Sequence, residues 1–156
     1  MKRSMVSAGL LMFRHRGDTL ELLLVHPGGP FFQNKDDGAW TIPKGEVQDG
    51  EDLILRARIE FHEELGVNPA ATKLIELGSV KQKGGKTVHA WAFEGNLPDN
   101  FKVSANTFEM EWPPRSGKLK QFPEIDRATF FSLNSARTKI NPAQSAFLDR
   151  LIDWLN

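Results

Sequence analysis

Apolar and polar positions alternate along the chain with two different periods, and the changes of period mark its elements. Two aliphatic runs open it, SMVSAGLLMFR over residues 4–14 and LELLLVH over residues 20–26, separated by HRGD. Both are short and bounded by a turn signal, so together they predict a β-hairpin. HPGGPFFQNKDDGAW follows, dense in Gly, Pro, Asn and Asp. It predicts a long loop, of a length that in compact domains often carries function. AWTIP is expected as a short strand closed by Pro43, and KGEVQDG as a turn-rich link into a helix from about residue 50 to residue 65. Asp49 is the expected N-cap, with Asp52 three residues on in an approximate capping box, and Gly66 is the expected stop. KLIELGSVKQ and KTVHAWAFEGN read as two strands joined at Gly84-Gly85. A proline-rich, charged stretch, EMEWPPRSGKLKQFPEIDR, precedes a strand at ATFFSL. NPAQSAFLDRLIDWLN closes the chain as an amphipathic helix, with Phe147, Leu148, Leu151, Ile152 and Leu155 at helical spacing. The order β-β-β-α-β-β-β-α predicts one α+β domain over residues 1–156, a mixed sheet between helices.

The first helix departs from ordinary amphipathic design in its last turns, ARIEFHEELGV. At about 100° per residue, Leu53, Ile54, Ala57, Phe61 and Leu65 form the face expected to meet the core. Glu60, Glu63 and Glu64 fall within one arc along the edge of that face. Glu60 stands at i, i+3 and i, i+4 from the other two, and like charges at those spacings cost about 0.2–0.5 kcal/mol each. The helix dipole also disfavours negative charge near this end. Only Arg56 shares the face, four residues before Glu60. A solvated charged face is one reading. The other is a divalent cation, since hard Mg²⁺ or Mn²⁺ takes carboxylate oxygens together with water and phosphate. On the second reading the helix serves a metal and an anionic substrate.

Composition narrows the remaining choices. At 156 residues the chain is long enough for one ordinary domain with a core. It carries 20 basic and 20 acidic residues, so net charge favours neither a nucleic-acid polymer nor a membrane as partner, although a local basic patch can still hold a small anion. There are no cysteines, which excludes disulfides, thiolate-zinc sites and a thiol nucleophile and agrees with a cytoplasmic location. MKRSMVSAGLLMF faintly resembles a signal peptide but lacks a convincing cleavage site, and is expected as a strand. No stretch approaches the roughly 18 apolar residues of a membrane span. His15, His26, His62 and His89 show no metal spacing.

The residues around the glutamates form a longer pattern. From Gly45, five residues lead to Glu51, and seven more to Ile59-Glu60-Phe61-His62-Glu63-Glu64-Leu65-Gly66-Val67. This resembles the signature of the Nudix hydrolases, G-x5-E-x7-R-E-U-x-E-E-x-G-U with U a bulky aliphatic residue, and the lead-in Trp40-Thr41-Ile42-Pro43 is also typical. The resemblance implies a Nudix-type α/β/α sandwich with a mixed β-sheet between helices. It also implies hydrolysis of a pyrophosphate bond in a nucleoside diphosphate linked to another moiety, such as a nucleoside triphosphate, dinucleoside polyphosphate or nucleotide sugar, with Mg²⁺ or Mn²⁺ as cofactor. By the family pattern, Glu60 and Glu64 would be the main metal ligands, Glu63 a further ligand or the base that activates water, and the Gly45 carbonyl an additional ligand. Lys44 would be placed to touch a phosphate.

Two positions depart. Phe61 replaces an aliphatic residue but keeps the core face. Ile59 stands where the family has an arginine expected to orient the catalytic glutamates. Arg56 and Arg58 are the candidate replacements, with Arg56 better placed. Ile59 also keeps open a second reading, a catalytically weak or inactive Nudix-fold nucleotide sensor. Some family members recruit a further glutamate from elsewhere. Glu109, Glu111 and Glu124 are candidates here, Glu124 first because it precedes ATFFSL. Arg115, Lys118 and Lys120 are candidate phosphate contacts, and Trp112, Phe31 and Phe32 candidate stacking partners for a base. Substrate recognition is expected in residues 27–39 and 104–124.

Overall fold

The computed structural model describes residues 5–69 and 73–156. Strands β1 (Val6–Arg16) and β2 (Thr19–Pro27) form the expected antiparallel hairpin. Both are apolar almost throughout because the sheet is covered on both faces. Ala8, Leu10, Met12, Leu23 and Val25 point to one core, and Leu11, Phe13, Leu22 and Leu24 to the other. After the long loop comes β3 (Lys44–Glu46), then α1 (Leu53–Leu65), β4 (Ile75–Lys81) and β5 (Thr87–Glu94). β6 (Thr107–Glu111) and β7 (Leu119–Pro123) make a separate two-stranded hairpin. β8 (Ile125–Ser132), α2 (Leu133–Lys139), a 3₁₀ turn at Pro142–Gln144 and α3 (Ser145–Leu155) complete the chain.

The main sheet runs β4-β5-β1-β2-β8, with β3 also pairing β1. It is mixed, as expected: β1 and β5 are parallel and the other pairs antiparallel. One core lies under α1, where Ala57, Phe61 and Leu65 are buried and Phe61 meets Phe93 edge-on at 5.5 Å. The other is closed by α2 and α3 through Ala136, Phe147, Leu148 and Leu151. No helix is long and apolar enough to cross a membrane among the described residues.

Four details correct the sequence reading. Asp52, not Asp49, caps α1, accepting from the N–H of Leu55 at 2.9 Å, so the helix begins at Leu53 rather than near residue 50. AWTIP is not a strand: Trp40 and Thr41 make single bridges, to Ile140 and Val25, and the strand that pairs with β1 lies beyond Pro43. The charged, proline-rich stretch holds the β6–β7 hairpin, in which Phe108 packs with Phe122. α2 had no predicted counterpart. Gly66 ends α1 as expected, at φ 74° with its N–H bonded to the His62 carbonyl.

Candidate active site

The glutamates of α1 are brought against β3. β3 pairs with the first half of β1 through Ser7↔Glu46, Ala8↔Gly45 and Gly9↔Lys44, which fixes the backbone of residues 44–46 beside the helix. At Gly45 the fit leaves no room for a side chain. A Cβ there would stand 2.0 Å from Cδ and 2.3 Å from Oε2 of Glu60. Only glycine lets that carboxylate reach the strand backbone, which is a reason in this fold for the glycine at the start of the motif.

Glu64 is the most buried of the group, with 8% of its surface exposed. The backbone N–H of Lys44 donates to its carboxylate, while its Oε2 has no hydrogen-bond partner among the described residues. Burial raises its pKa well above the carboxylate range, and Lys44 only partly opposes this. Glu60 is also raised, first by burial and then by Glu63, against the pull of Arg56. Glu124 is raised by burial and again by Glu63. The sequence separates Glu124 from α1 by two hairpins, β4–β5 and β6–β7, and its place just before β8 returns it to the same electrostatic neighbourhood. Lys44 is shifted down, chiefly by burial and then by Lys86.

Arg56 is the cation that reaches the glutamates. Its Nε and Nη2 bind the Glu51 carboxylate, Nη2 to Oε2 at 2.5 Å, and its Nη1 donates to Glu60 Oε1 at 3.2 Å. The forked contact holds Glu51 below, and Arg56 above, their ordinary pKa ranges. Ile59 itself is half-buried. Arg58 donates instead to the Pro69 carbonyl at 3.3 Å.

A cavity of about 310 Å³ opens beside the cluster, lined in part by Phe32, Thr41, Lys44, Glu64, Gln82, Glu124 and Asn141. Its outer wall is the loop after β2. There the N–H of Gly28 bonds the Glu124 carbonyl at 2.9 Å, and a Cβ on Gly28 would stand 1.9 Å from the Pro123 carbonyl. Buried His26 ties the same loop down, with Nδ1 at 2.8 Å from Asp126 and Nε2 at 2.7 Å from the Lys35 carbonyl.

The cavity therefore gathers Lys44, Glu64, Glu124 and Phe32. Arg115, Glu109 and Glu111 are not among its lining residues. They lie on the β6–β7 hairpin, where Glu111 accepts the N–H of Arg115 at 2.6 Å. Phe31 is largely exposed and meets Trp112 edge-on at 5.7 Å. Gln82 and Asn141 line the cavity without having been singled out, and Thr41, named only within the lead-in to the motif, joins them. No charge or motif marks Gln82 or Asn141, and Asn141-Pro142 reads only as a helix start.

The residues present fit a divalent cation. An unbonded, buried carboxylate oxygen, a second carboxylate packed on a backbone without a Cβ, and an all-oxygen donor set are what such an ion needs. Among the described residues, no three His, Asp or Glu side chains already converge as a finished cage.

A mixed sheet between helices, with a carboxylate-edged helix against the short strand that carries Gly45 and a cavity beside it, is an arrangement suited to an anionic ligand and a cation. The NUDIX domain model matches residues 3–151, and the chain belongs to the Nudix family, whose activity is pyrophosphohydrolysis. Solved structures with the same fold include the Ap4A hydrolase of C. elegans in a binary complex, at 23% identity and TM-score 0.68, covering 96% of this chain and 97% of that one. The MutT protein of Methanosarcina mazei Go1 aligns at 20% identity and TM-score 0.63, over 99% and 97% of the two chains. The NUDIX domain of Shewanella oneidensis NrtR, complexed with ADP ribose, aligns at 12% identity and TM-score 0.66, over 100% and 91%. No curated protein sequence matches the chain.

Proposed function

We propose that this chain is a cytoplasmic, metal-dependent Nudix hydrolase that cleaves a pyrophosphate bond in a small nucleotide, and that α1 and β3 form its catalytic centre. Nudix hydrolases generally use divalent metals. Here Glu60, Glu64 and the Gly45 carbonyl would hold Mg²⁺ or Mn²⁺, with Glu63 as a further ligand. Such an ion neutralises phosphate charge and makes water a better nucleophile. The rest belongs to the chain. Lys44 meets a phosphate at the cavity wall. Glu124, whose raised pKa brings it nearer neutrality, accepts a proton from the attacking water, with Glu63 as the alternative base. Arg56 fixes Glu60 through its fork on Glu51.

The observation that carries this reading is the buried, unbonded Oε2 of Glu64 beside Glu60 and Gly45. A buried carboxylate with one oxygen left without a hydrogen bond is destabilising unless something binds it. The Arg56 contacts favour an enzyme over the sensor that Ile59 suggested, because a cation does reach the glutamates. Relatives named for Ap4A and ADP ribose support a nucleotide substrate. The test is a panel of nucleoside triphosphates, dinucleoside polyphosphates and nucleotide sugars with Mg²⁺ or Mn²⁺, each repeated with chelator. Metal-dependent product release from at least one compound is expected. Nucleotide binding with no release under either metal would replace the enzyme by the sensor.

A further inference from the structure

The cavity carries a second set of polar groups that the catalytic reading does not use, and the fold fixes their directions. Gln144 is fully buried, and its Oε1 accepts the backbone N–H of Ile42 at 3.0 Å. A backbone N–H can only donate, so the oxygen end of this amide is assigned, and its Nε2 is the end that meets Gln82. That group donates to Gln82 Oε1 at 2.8 Å. The oxygen of Gln82 is thereby taken, and its Nε2 is left without a partner among the described residues. Asn141 is oriented in the same way: Oδ1 accepts the N–H of Ala143 at 2.9 Å as the cap of the 3₁₀ turn, which leaves Nδ2 without a partner among the described residues. Both amides line the cavity with Phe32, opposite in character to Lys44 and the carboxylates.

Two amide NH₂ groups, that of Asn141 set directly by a backbone N–H and that of Gln82 set by one through Gln144, give this part of the cavity donors without charge. Phosphates belong with the cations and a metal, and Phe32 supplies an aromatic wall. We infer that Gln82 and Asn141 read the nucleobase and select a 6-oxopurine, which shows two acceptors on one edge. Guanine presents O6 and N7 there, whereas adenine sets its N6 amino group beside N7. Adenine turns a donor against a donor that cannot flip. Rotating the Gln82 amide would place its NH₂ against that of Gln144, and rotating Gln144 would place NH₂ against the Ile42 N–H. A site built to donate rejects a ligand that leaves its donors unpaired. The inference rests on the proposed nucleotide site and names its base.

The test is calorimetric titration of the full chain with GMP and with AMP. GMP is expected to bind about tenfold more tightly. Gln82→Glu, which offers a carboxylate oxygen to the cavity, is expected to lower the GMP:AMP affinity ratio to one or below. Gln82→Ala, which adds no charge, is expected to bring it near one. Equal binding of the two in the wild type, a preference for AMP, or no binding of either at millimolar concentration overturns the inference. So does equal weakening of both ligands by the Gln82 variants, which would assign these donors to phosphate oxygens. A GMP preference without hydrolysis of any nucleotide leaves this inference standing and removes the hydrolase. Hydrolysis without base preference does the reverse.

Discussion

The Oε2 of Glu64 is buried and unbonded, and burial holds its carboxyl well above the usual pKa range. A glutamine there keeps the shape and removes the charge. In chelator, Glu64→Gln is therefore expected to raise Tm, by about 2–4 °C for each kcal/mol recovered. Differential scanning calorimetry checks this, and a lower Tm would mean that the carboxylate is already satisfied. Arg56 is the second decisive residue. On the proposed reading, its fork on Glu51 and its bond to Glu60 would perform the task expected of an arginine at position 59. Arg56→Met is expected to lower kcat by about 10–100-fold, whereas Ile59→Arg alone changes it by less than about threefold. Adding Ile59→Arg to the Arg56→Met protein is expected to restore part of the loss. A large gain from Ile59→Arg in the wild type would show that Arg56 does not substitute.

At the scale of elements, β3 and α1 act as one unit because Gly45 lets the Glu60 carboxylate lie on the strand. Gly45→Ala places a Cβ at 2.0 Å from Glu60 Cδ, and overpacking of this kind costs about 1–3 kcal/mol. Reduced stability and loss of turnover together are expected, measured by thermal melts and steady-state kinetics. Retained turnover would detach Gly45 from the site. The helix and its stop at Gly66 were legible because period and cap agree. The true cap, Asp52, was obscured by Asp49 and Gly50, which offer the same chemistry three residues early. The β6–β7 hairpin escaped because Phe108, Met110 and Trp112 alternate with charges inside a stretch marked by prolines. β3 escaped because a three-residue strand has too few positions to show a period. For the site, helical spacing gave the glutamates and put Arg56 on their face, and the resemblance to the Nudix signature added Gly45 and Glu124 and gave Arg56 its expected role. Gln82, Gln144 and Asn141 were silent, since a neutral amide gains meaning only from the partners that orient it.

Across the whole molecule, two cores press the sheet from both sides and hold three raised carboxyls, Glu60, Glu64 and Glu124, in one region. A carboxyl whose folded pKa exceeds its unfolded value binds protons more tightly when folded, so its ionisation destabilises the fold. Metal-free stability therefore falls as pH rises from the ordinary carboxylate range, near 4.5, up through the raised values, and is level above them. Glu51 and Asp36, held low by Arg56 and Lys139, act with the opposite sign. The informative quantity is thus the Tm difference between wild type and Glu64→Gln, which is expected to widen as pH rises through that window and to shrink when Mg²⁺ is added. A difference independent of pH would separate Glu64 from the effect. The central claim, that these glutamates hold a metal for hydrolysis, is tested most directly by turnover itself. The measurement is kcat at saturating Mg²⁺ for wild type and Glu64→Gln, on whichever nucleotide of the panel is cleaved fastest. The account predicts a loss of about 10²–10³ or more in a variant that melts no lower than wild type. Turnover within about threefold of wild type would contradict it.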